Sequence, residues 1–84
     1  MTAGSIALST AGHDKGLLHM VMAVDGGFTL IADGKCRKVD APKRKNPKHL
    51  AAMPCFGKFQ TGVTNRELRK IIAECKAELE GERV

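Results

Sequence analysis

The stretch that decides the fold reads Asp25-Gly26-Gly27-Phe28-Thr29-Leu30-Ile31-Ala32-Asp33-Gly34. Two Asp-Gly dipeptides bracket a hydrophobic run that has the composition of a β-strand. Asp-Gly between hydrophobic runs favours a tight hairpin, because a type I′ turn needs a positive φ at both central residues. The stretch therefore predicts two successive hairpins. We expect residues 17–39 to form a three-stranded meander, with its third strand at residues 35–39.

The flanking strands of this meander differ in their pattern. Residues 17–24 are apolar on both parities except for His19, which indicates a strand that is covered on both sides. In the third strand, the alternation predicts that Cys36 points inward and that Lys35 and Arg37 point outward.

Further strands are expected on either side of the meander. Residues 4–10 place Ile6 and Leu8 on one parity, and residues 49–53 could form a short closing strand. Residues 54–62 show no clear period, and we expect Phe56 and Phe59 there to cover the end of a barrel.

The C-terminal part changes to a helical period. Thr64 and Glu67 match a capping box, in which each side chain binds the other residue's amide. Gly81 is expected to supply the C-cap. One apolar stripe then follows at helical spacing, formed by Leu68, Ile71, Ile72, Cys75 and Leu79.

These elements predict a mainly β fold, a small SH3-like five-stranded barrel with one C-terminal α-helix. With 84 residues, the chain has room for a single domain. Within it we expect the barrel at residues 1–53, a connector at 54–63 and an amphipathic helix at 64–81, packed on or beside the barrel.

The positive charge of the chain is concentrated in one segment. Residues 35–49 hold seven Lys or Arg, opposed only by Asp40, whereas residues 1–34 carry a net −2 and residues 59–84 a net zero. A basic cluster of this kind is typical of nucleic-acid binders, although clustered Lys and Arg also attract anionic lipid. A purely solubilising surface is disfavoured, because closely spaced like charges repel one another. The predicted binding residues are Lys35, Arg37, Lys38, Lys43, Arg44, Lys45, Lys48 and His49.

The aromatic content narrows the expected target. The chain has no Trp, no Tyr and only three Phe, whereas proteins that bind single strands usually stack bases on aromatic side chains. We therefore expect recognition of phosphate and shape in structured RNA. Binding of Pro-rich peptides is disfavoured for the same reason.

Enzyme chemistry is not indicated. The sequence lacks a phosphate-binding glycine loop, a nucleophile elbow and a His-Glu-x-x-His pair. His13, His19 and His49 are scattered, so no metal site, cofactor or small-molecule substrate is expected. Asp14 could be imagined as a catalytic acid, but a turn aspartate that binds its own loop amides is the favoured interpretation.

The cysteines and the N-terminus indicate a reducing, cytoplasmic setting. Cys36, Cys55 and Cys75 form no close pair, which favours reduced and mostly buried thiols. The N-terminal residues lack the charged and apolar regions of a signal peptide. No apolar run is long enough to span a bilayer, so no membrane association is expected.

Several segments of the chain match a known pattern when they are taken together. The first is Gly4-Ser5-Ile6 followed by Ala11-Gly12-His13-Asp14-Lys15-Gly16. The second is Leu30-Ile31-Ala32-Asp33-Gly34-Lys35 with Arg37-Lys38-Val39. The others are Lys43-Arg44-Lys45-Asn46, Lys48-His49-Leu50 and Thr64-Asn65-Arg66-Glu67-Leu68-Arg69-Lys70. Together these segments resemble the KOW family, in particular stand-alone bacterial proteins related to a large-subunit ribosomal protein of archaea and eukaryotes.

This resemblance implies a non-catalytic, RNA-binding protein of the translation apparatus, with ribosomal RNA as its expected partner. It implies that Lys15 joins the RNA-binding residues. The sequence departs from the family at His13 and Leu17, where basic residues are common, and at Cys36, where a larger aliphatic residue is common. The KOW loop would consist of Gly12, His13, Asp14, Lys15 and Gly16.

Two alternative functions stay open at this point, and one of them is a thiol-dependent redox or metal role. The chain could be a protein-interaction module of the translation or transcription machinery, with ribosomal or translation-associated proteins as partners. The apolar stripe of the helix would then act as an adaptor.

Overall fold

The structure is a computed structural model that describes residues 2–56 and 62–81, without the side chains of residues 55, 56 and 81. The described part has a mainly β fold with one C-terminal helix. Its helix is α1 (Asn65–Gly81), and a 3₁₀ turn covers Pro47–His49. The strands are β1 (Ser5–Ser9), β2 (Leu18–Asp25), β3 (Phe28–Ala32), β4 (Lys43–Lys45) and β5 (Leu50–Phe56).

The five strands form one antiparallel sheet in the order β4-β3-β2-β1-β5. This confirms the mainly β fold, the number of strands and the C-terminal helix. β4 and β5 are the two edges of the described sheet, which is therefore open. The SH3-like barrel stays a prediction.

The hairpin between β2 and β3 is confirmed, but its turn is shifted by one residue. Asp25 pairs with Phe28 in the ladder, so the two central residues are Gly26 and Gly27. Their φ angles are +54° and +88°. A turn with positive φ at both central positions favours two glycines over Asp-Gly, since a Cβ is strained in that region.

The third strand predicted at residues 35–39 is wrong. Asp33 Oδ1 accepts hydrogen bonds from the backbone N–H groups of Lys35 (2.9 Å) and Arg37 (2.8 Å), and these contacts close a loop. Aspartate side chains compete in this way with the ladder hydrogen bonds of a sheet. The chain pairs with β3 only from Lys43 onward, as β4. The predicted orientations fail with the strand, because Cys36 is exposed and Arg37 is half-buried.

The sheet buries apolar side chains on both faces, as alternation along β1 and β2 requires. Ala7, Val21, Ile31 and Leu50 form a cluster on one face. The opposite face carries α1 over a larger cluster of Ile6, Met20, Ala32, Val63, Leu68 and Cys75. The burial on both sides that was predicted for β2 holds for residues 19–21 and ends before Val24, which is 56% exposed.

The start of α1 is confirmed in detail. The Glu67 N–H donates to Thr64 Oγ1 (3.1 Å), and the Thr64 N–H donates to Glu67 Oε1 (3.3 Å). This is the predicted capping box. Leu68 and Cys75 of the apolar stripe are buried, and Gly81 is the last helical residue.

The segment before the helix differs from its prediction. β5 runs to Phe56, so the predicted connector 54–63 begins inside a strand. The predicted roles of the Phe56 and Phe59 rings and of the Cys55 thiol lie outside the described residues. Among the described residues, no helix is long and apolar enough to cross a membrane.

Candidate nucleic-acid interface

Asp14 lies in the loop between β1 and β2 and gathers three basic side chains. It is 5% exposed. Its Oδ2 accepts a hydrogen bond from Lys43 Nζ at 2.7 Å and lies 3.6 Å from Lys45 Nζ, while its Oδ1 lies 3.8 Å from Arg37 Nη2. We call Asp14, Arg37, Lys43 and Lys45 the Asp14 cluster. One carboxylate thus holds residues from three separate segments together.

The register of β4 explains why two lysines reach this carboxylate. Lys43 pairs with Ile31 and Lys45 pairs with Thr29, and both partners on β3 are buried. Directly paired residues lie on the same face of a sheet. Lys43 and Lys45 therefore lie on the face of the sheet that buries Ile31, and Arg44 lies on the opposite face, which carries α1.

Lys45 is a buried cation with internal partners. It is 7% exposed, and its Nζ donates to the Ala11 carbonyl at 2.9 Å as well as lying near Asp14. A buried ammonium group needs such partners, because its desolvation would otherwise cost several kcal/mol, roughly. Lys45 contributes to holding the loop rather than to the exposed charge.

The same contacts set the charge state of Asp14. The hydrogen bond from Lys43 lowers the pKa of Asp14 below its ordinary value of 3.8, against the opposing effect of burial. The carboxylate is ionised at neutral pH. The interpretation of Asp14 as a turn residue that binds its own loop amides is wrong, since its carboxylate contacts distant side chains.

His19 lies beneath the loop that follows β3. It is fully buried, with Nδ1 3.2 Å from Ser9 Oγ and Nε2 3.9 Å from Asp33 Oδ2. Burial lowers the pKa of His19 below its ordinary value of 6.5, and the nearby Asp33 carboxylate opposes this shift. Among the described residues, no three His, Cys, Asp or Glu side chains are grouped closely enough to hold a metal ion.

The helix α1 contacts the loop that follows β3 through two hydrogen bonds. The Val39 N–H donates to Asn65 Oδ1 at 2.8 Å, and Arg69 Nη1 donates to the Gly34 carbonyl at 2.7 Å. Gly34 has a φ of +77°, and a Cβ at this position would overlap the backbone of Asn65. The loop that carries the first basic residues is therefore held between the helix and the Asp14 cluster.

The remaining basic residues of the candidate interface face solvent. All five side chains are exposed and have no acidic partner among residues 2–56 and 62–81: Lys15, Lys35, Lys38, Arg44 and Lys48. We call them the exposed basic set. Lys15 follows Asp14 in the chain, Lys38 follows Arg37, and Arg44 lies between Lys43 and Lys45. Lys35 and Lys48 lie two and three residues from Arg37 and Lys45, so every member of the exposed basic set is close in the chain to a residue of the Asp14 cluster.

Phe28 and Arg44 form a pair outside the cluster. The guanidinium carbon of Arg44 lies 4.4 Å from the centre of the Phe28 ring, which is 39% exposed. His13 and His49 are also exposed. Of the remaining residues predicted to form a KOW loop, Gly12 and Gly16 flank the loop between β1 and β2, and the Asp14 carboxylate contacts the cations of the cluster.

The sequence identified the basic segment but did not reveal that its cations divide into buried and exposed ones. The division follows from the alternation at residues 43–45, which becomes visible only once β4 is known to pair with β3. The role of Asp14 in holding these cations was missed, because its partners lie far away in the chain, with Lys43 29 residues distant.

No protein-family model matches the chain, and no curated protein matches it at a significant level. The resemblance to the KOW family therefore rests on the sequence segments that carry it. The function has to be argued from the chemistry of the site, since a fold alone does not determine it.

Proposed function

We propose that this chain is a non-catalytic RNA-binding protein that contacts the phosphates of structured RNA. The observation that carries the proposal is the exposed basic set, five exposed cations that each lie within three residues of the Asp14 cluster in the chain and have no acidic partner among the described residues. A polyanion is the partner that this arrangement fits best.

The electrostatics of the Asp14 cluster support the same conclusion. Three cations share one carboxylate, so the cluster itself keeps a positive charge in addition to that of the exposed basic set. Gathering like charges in a small region is unfavourable without a counter-charge. RNA phosphates would supply it, and release of their condensed counterions would favour binding.

The fold and the target belong to the proposal as well. The order of the strands and the pairing of β1 with both β2 and β5 are consistent with an SH3-like barrel of the KOW type. Ribosomal RNA is the target that the resemblance implies, and a role in translation would follow from it. The proposal needs no enzymatic activity, cofactor or metal.

The test is a reversal of charge in the exposed basic set, away from the buried cations. A triple variant with Lys15→Glu, Lys35→Glu and Lys38→Glu should lower affinity for a structured RNA by at least about tenfold at moderate salt. The matched control makes the same change of charge on the helix, with Arg66→Glu, Lys70→Glu and Lys76→Glu. All six positions are exposed, so both proteins should fold.

The outcome is read from the difference between the two triple variants. Loss in the first variant alone supports a local interface around the Asp14 cluster. Equal loss in both would show that only total charge matters, and absence of RNA binding by the wild-type chain would overturn the proposal.

A second candidate function is a protein-interaction module of the translation or transcription machinery. A groove of about 590 Å³ between α1 and the sheet favours it, with Leu17 at its surface 46% exposed. Partners that survive nuclease treatment but are lost from a Leu17→Glu variant would support this function. The apolar lining of the groove comes from Leu8, Leu17, Leu18, Met53, Ile72 and Leu79.

A further inference from the structure

We propose that the Phe28–Arg44 pair is a stacking site for one unpaired nucleobase of the bound RNA. This inference rests on the proposed function and deepens it. It adds a contact with a base to an interface that otherwise recognises phosphate and shape.

The position of the pair follows from the register of the sheet. Arg44 pairs with Leu30 on the face of the sheet opposite to Lys43 and Lys45. Phe28 lies two residues before Leu30 on β3 and shares this face. Arg44 is thereby directed away from the Asp14 carboxylate and onto the ring, with its guanidinium carbon 4.4 Å from the ring centre.

The exposure of the ring is the second observation. Phe28 is 39% exposed although it begins a strand that is paired on both sides. Gly26 and Gly27, which precede the ring in the turn, carry no side chains that could cover it. Part of the largest apolar side chain on this hairpin is therefore open to a ligand.

An unpaired base has the chemistry that this pair would accept. Bases stack on aromatic rings and on the planes of arginine guanidinium groups, and both surfaces are present here. A guanidinium that contacts a ring on one face keeps N–H groups at its edge, which can bind a phosphate. Base and phosphate of one nucleotide could thus be held together.

The pair would also provide selectivity. Bases inside a regular duplex have both faces covered by their neighbours, so only an extruded, looped or terminal base can stack on the protein. We therefore infer a preference for structured RNA that carries an unpaired base over RNA that is fully paired.

The experiment compares two RNAs with one protein. One is a blunt, fully paired RNA duplex, and the other is the same duplex with a single bulged adenosine. The wild-type chain should bind the bulged duplex tighter, on the order of tenfold, from stacking of one base. Phe28→Leu should abolish this preference and leave affinity for the paired duplex nearly unchanged.

Three further variants separate stacking from other roles of the pair. Phe28→Tyr keeps the ring and should keep the preference. Arg44→Lys keeps the charge but loses the planar group, and the preference should fall. Val24→Ala, which shortens an exposed apolar side chain on the opposite face of the same hairpin, should behave as wild type with both RNAs.

A direct measurement covers the case in which Phe28→Leu fails to fold. With 2-aminopurine at the bulged position, stacking on the wild-type protein should change its fluorescence on binding, and the same base placed in the paired stem should respond less.

The outcomes distinguish failure of the stacking site from failure of the proposed RNA-binding function. If both RNAs bind equally with a strong salt dependence and the 2-aminopurine signal is unchanged, the stacking site is wrong and the phosphate interface stands. If neither RNA binds, both proposals are overturned.

Discussion

At the scale of single residues, Asp14 decides which basic side chains remain available to a partner. Its carboxylate lies within 4 Å of three cations and is itself 5% exposed. Without this carboxylate, the buried Lys45 ammonium would keep the Ala11 carbonyl as its one remaining partner among the described residues. Stability and the shape of the interface are therefore coupled through one side chain.

We expect Asp14→Asn to lower the free energy of unfolding by roughly 3 kcal/mol, because it leaves a buried cation without its counter-charge. Urea denaturation at neutral pH measures this change. The control is Asp40→Asn, which removes the same charge at an exposed position and should change stability by no more than about 0.5 kcal/mol. Similar losses in both variants would contradict a structural role for Asp14.

His19 makes stability depend on pH. Its pKa is lowered in the folded chain by burial, so the unfolded chain binds a proton first as the pH falls below the ordinary value of 6.5. The folded state therefore loses stability as the pH falls from about 6.5 toward the lowered folded pKa. The lowered pKa of Asp14 adds a further loss only at more acidic pH, below its ordinary value of 3.8.

The check is a series of urea midpoints between about pH 7.5 and about pH 5. The wild-type chain should become easier to unfold across this range, and His19→Gln should flatten the dependence. His13→Gln is the control for loss of one histidine at an exposed position, and it should keep the wild-type slope. A slope that survives in His19→Gln would assign the effect to another group.

At the scale of elements, the sequence predicted those strands, turns and helix ends that depend on contacts between residues close together in the chain. The alternation of β1, the hairpin after β2 and the capping box of α1 all depend on residues within a few positions of each other, and the sequence predicts them apart from a one-residue shift of the hairpin turn. The strand predicted to begin at residue 35 begins only at Lys43, because Asp33 closes a loop by binding the N–H groups of residues 35 and 37. Alternation alone cannot reveal such a side-chain contact.

The candidate site was predictable to the same extent. The basic segment was evident from composition, whereas its division into buried and exposed cations depends on which face of β4 meets the loop of Asp14. That choice is made by pairing between strands that are far apart in sequence. The docking of α1 on the loop at Gly34 and Val39 likewise depends on long-range contacts.

We expect this docking to be sensitive to Gly34. Gly34→Ala adds a methyl group that overlaps the Asn65 backbone at a φ of +77°, and it should destabilise the fold by more than about 3 kcal/mol. Gly27 has a similar φ of +88° with open space around it, so Gly27→Ala should cost only the conformational strain of about 1–2 kcal/mol. Thermal or urea unfolding measures both, and equal costs would mean that the helix contact contributes nothing.

At the scale of the whole molecule, salt dependence reports how many cations meet phosphates. If the five residues of the exposed basic set make these contacts, the slope of log affinity against log salt should be about −3.5 to −4.5. If all eight Lys and Arg residues predicted from the sequence took part, it would be about −5.6 to −7.2. Titrations of one RNA at several salt concentrations distinguish the two.

The same measurement has an internal control. The charge-reversed helix variant should give the wild-type slope, since its positions lie outside the proposed interface. A slope near zero in the wild-type chain would rule out phosphate contacts as the source of affinity.

The two edge strands of the sheet have a consequence for self-association. An unpaired strand edge can serve as a template on which another copy of the chain adds a strand, which leads to aggregation. Here β4 is three residues long and consists only of Lys43, Arg44 and Lys45, while β5 at the opposite edge contains Pro54, which lacks an N–H donor. Arg44, which we assign to RNA binding, therefore also protects the sheet against pairing with itself, together with the two lysines of the Asp14 cluster.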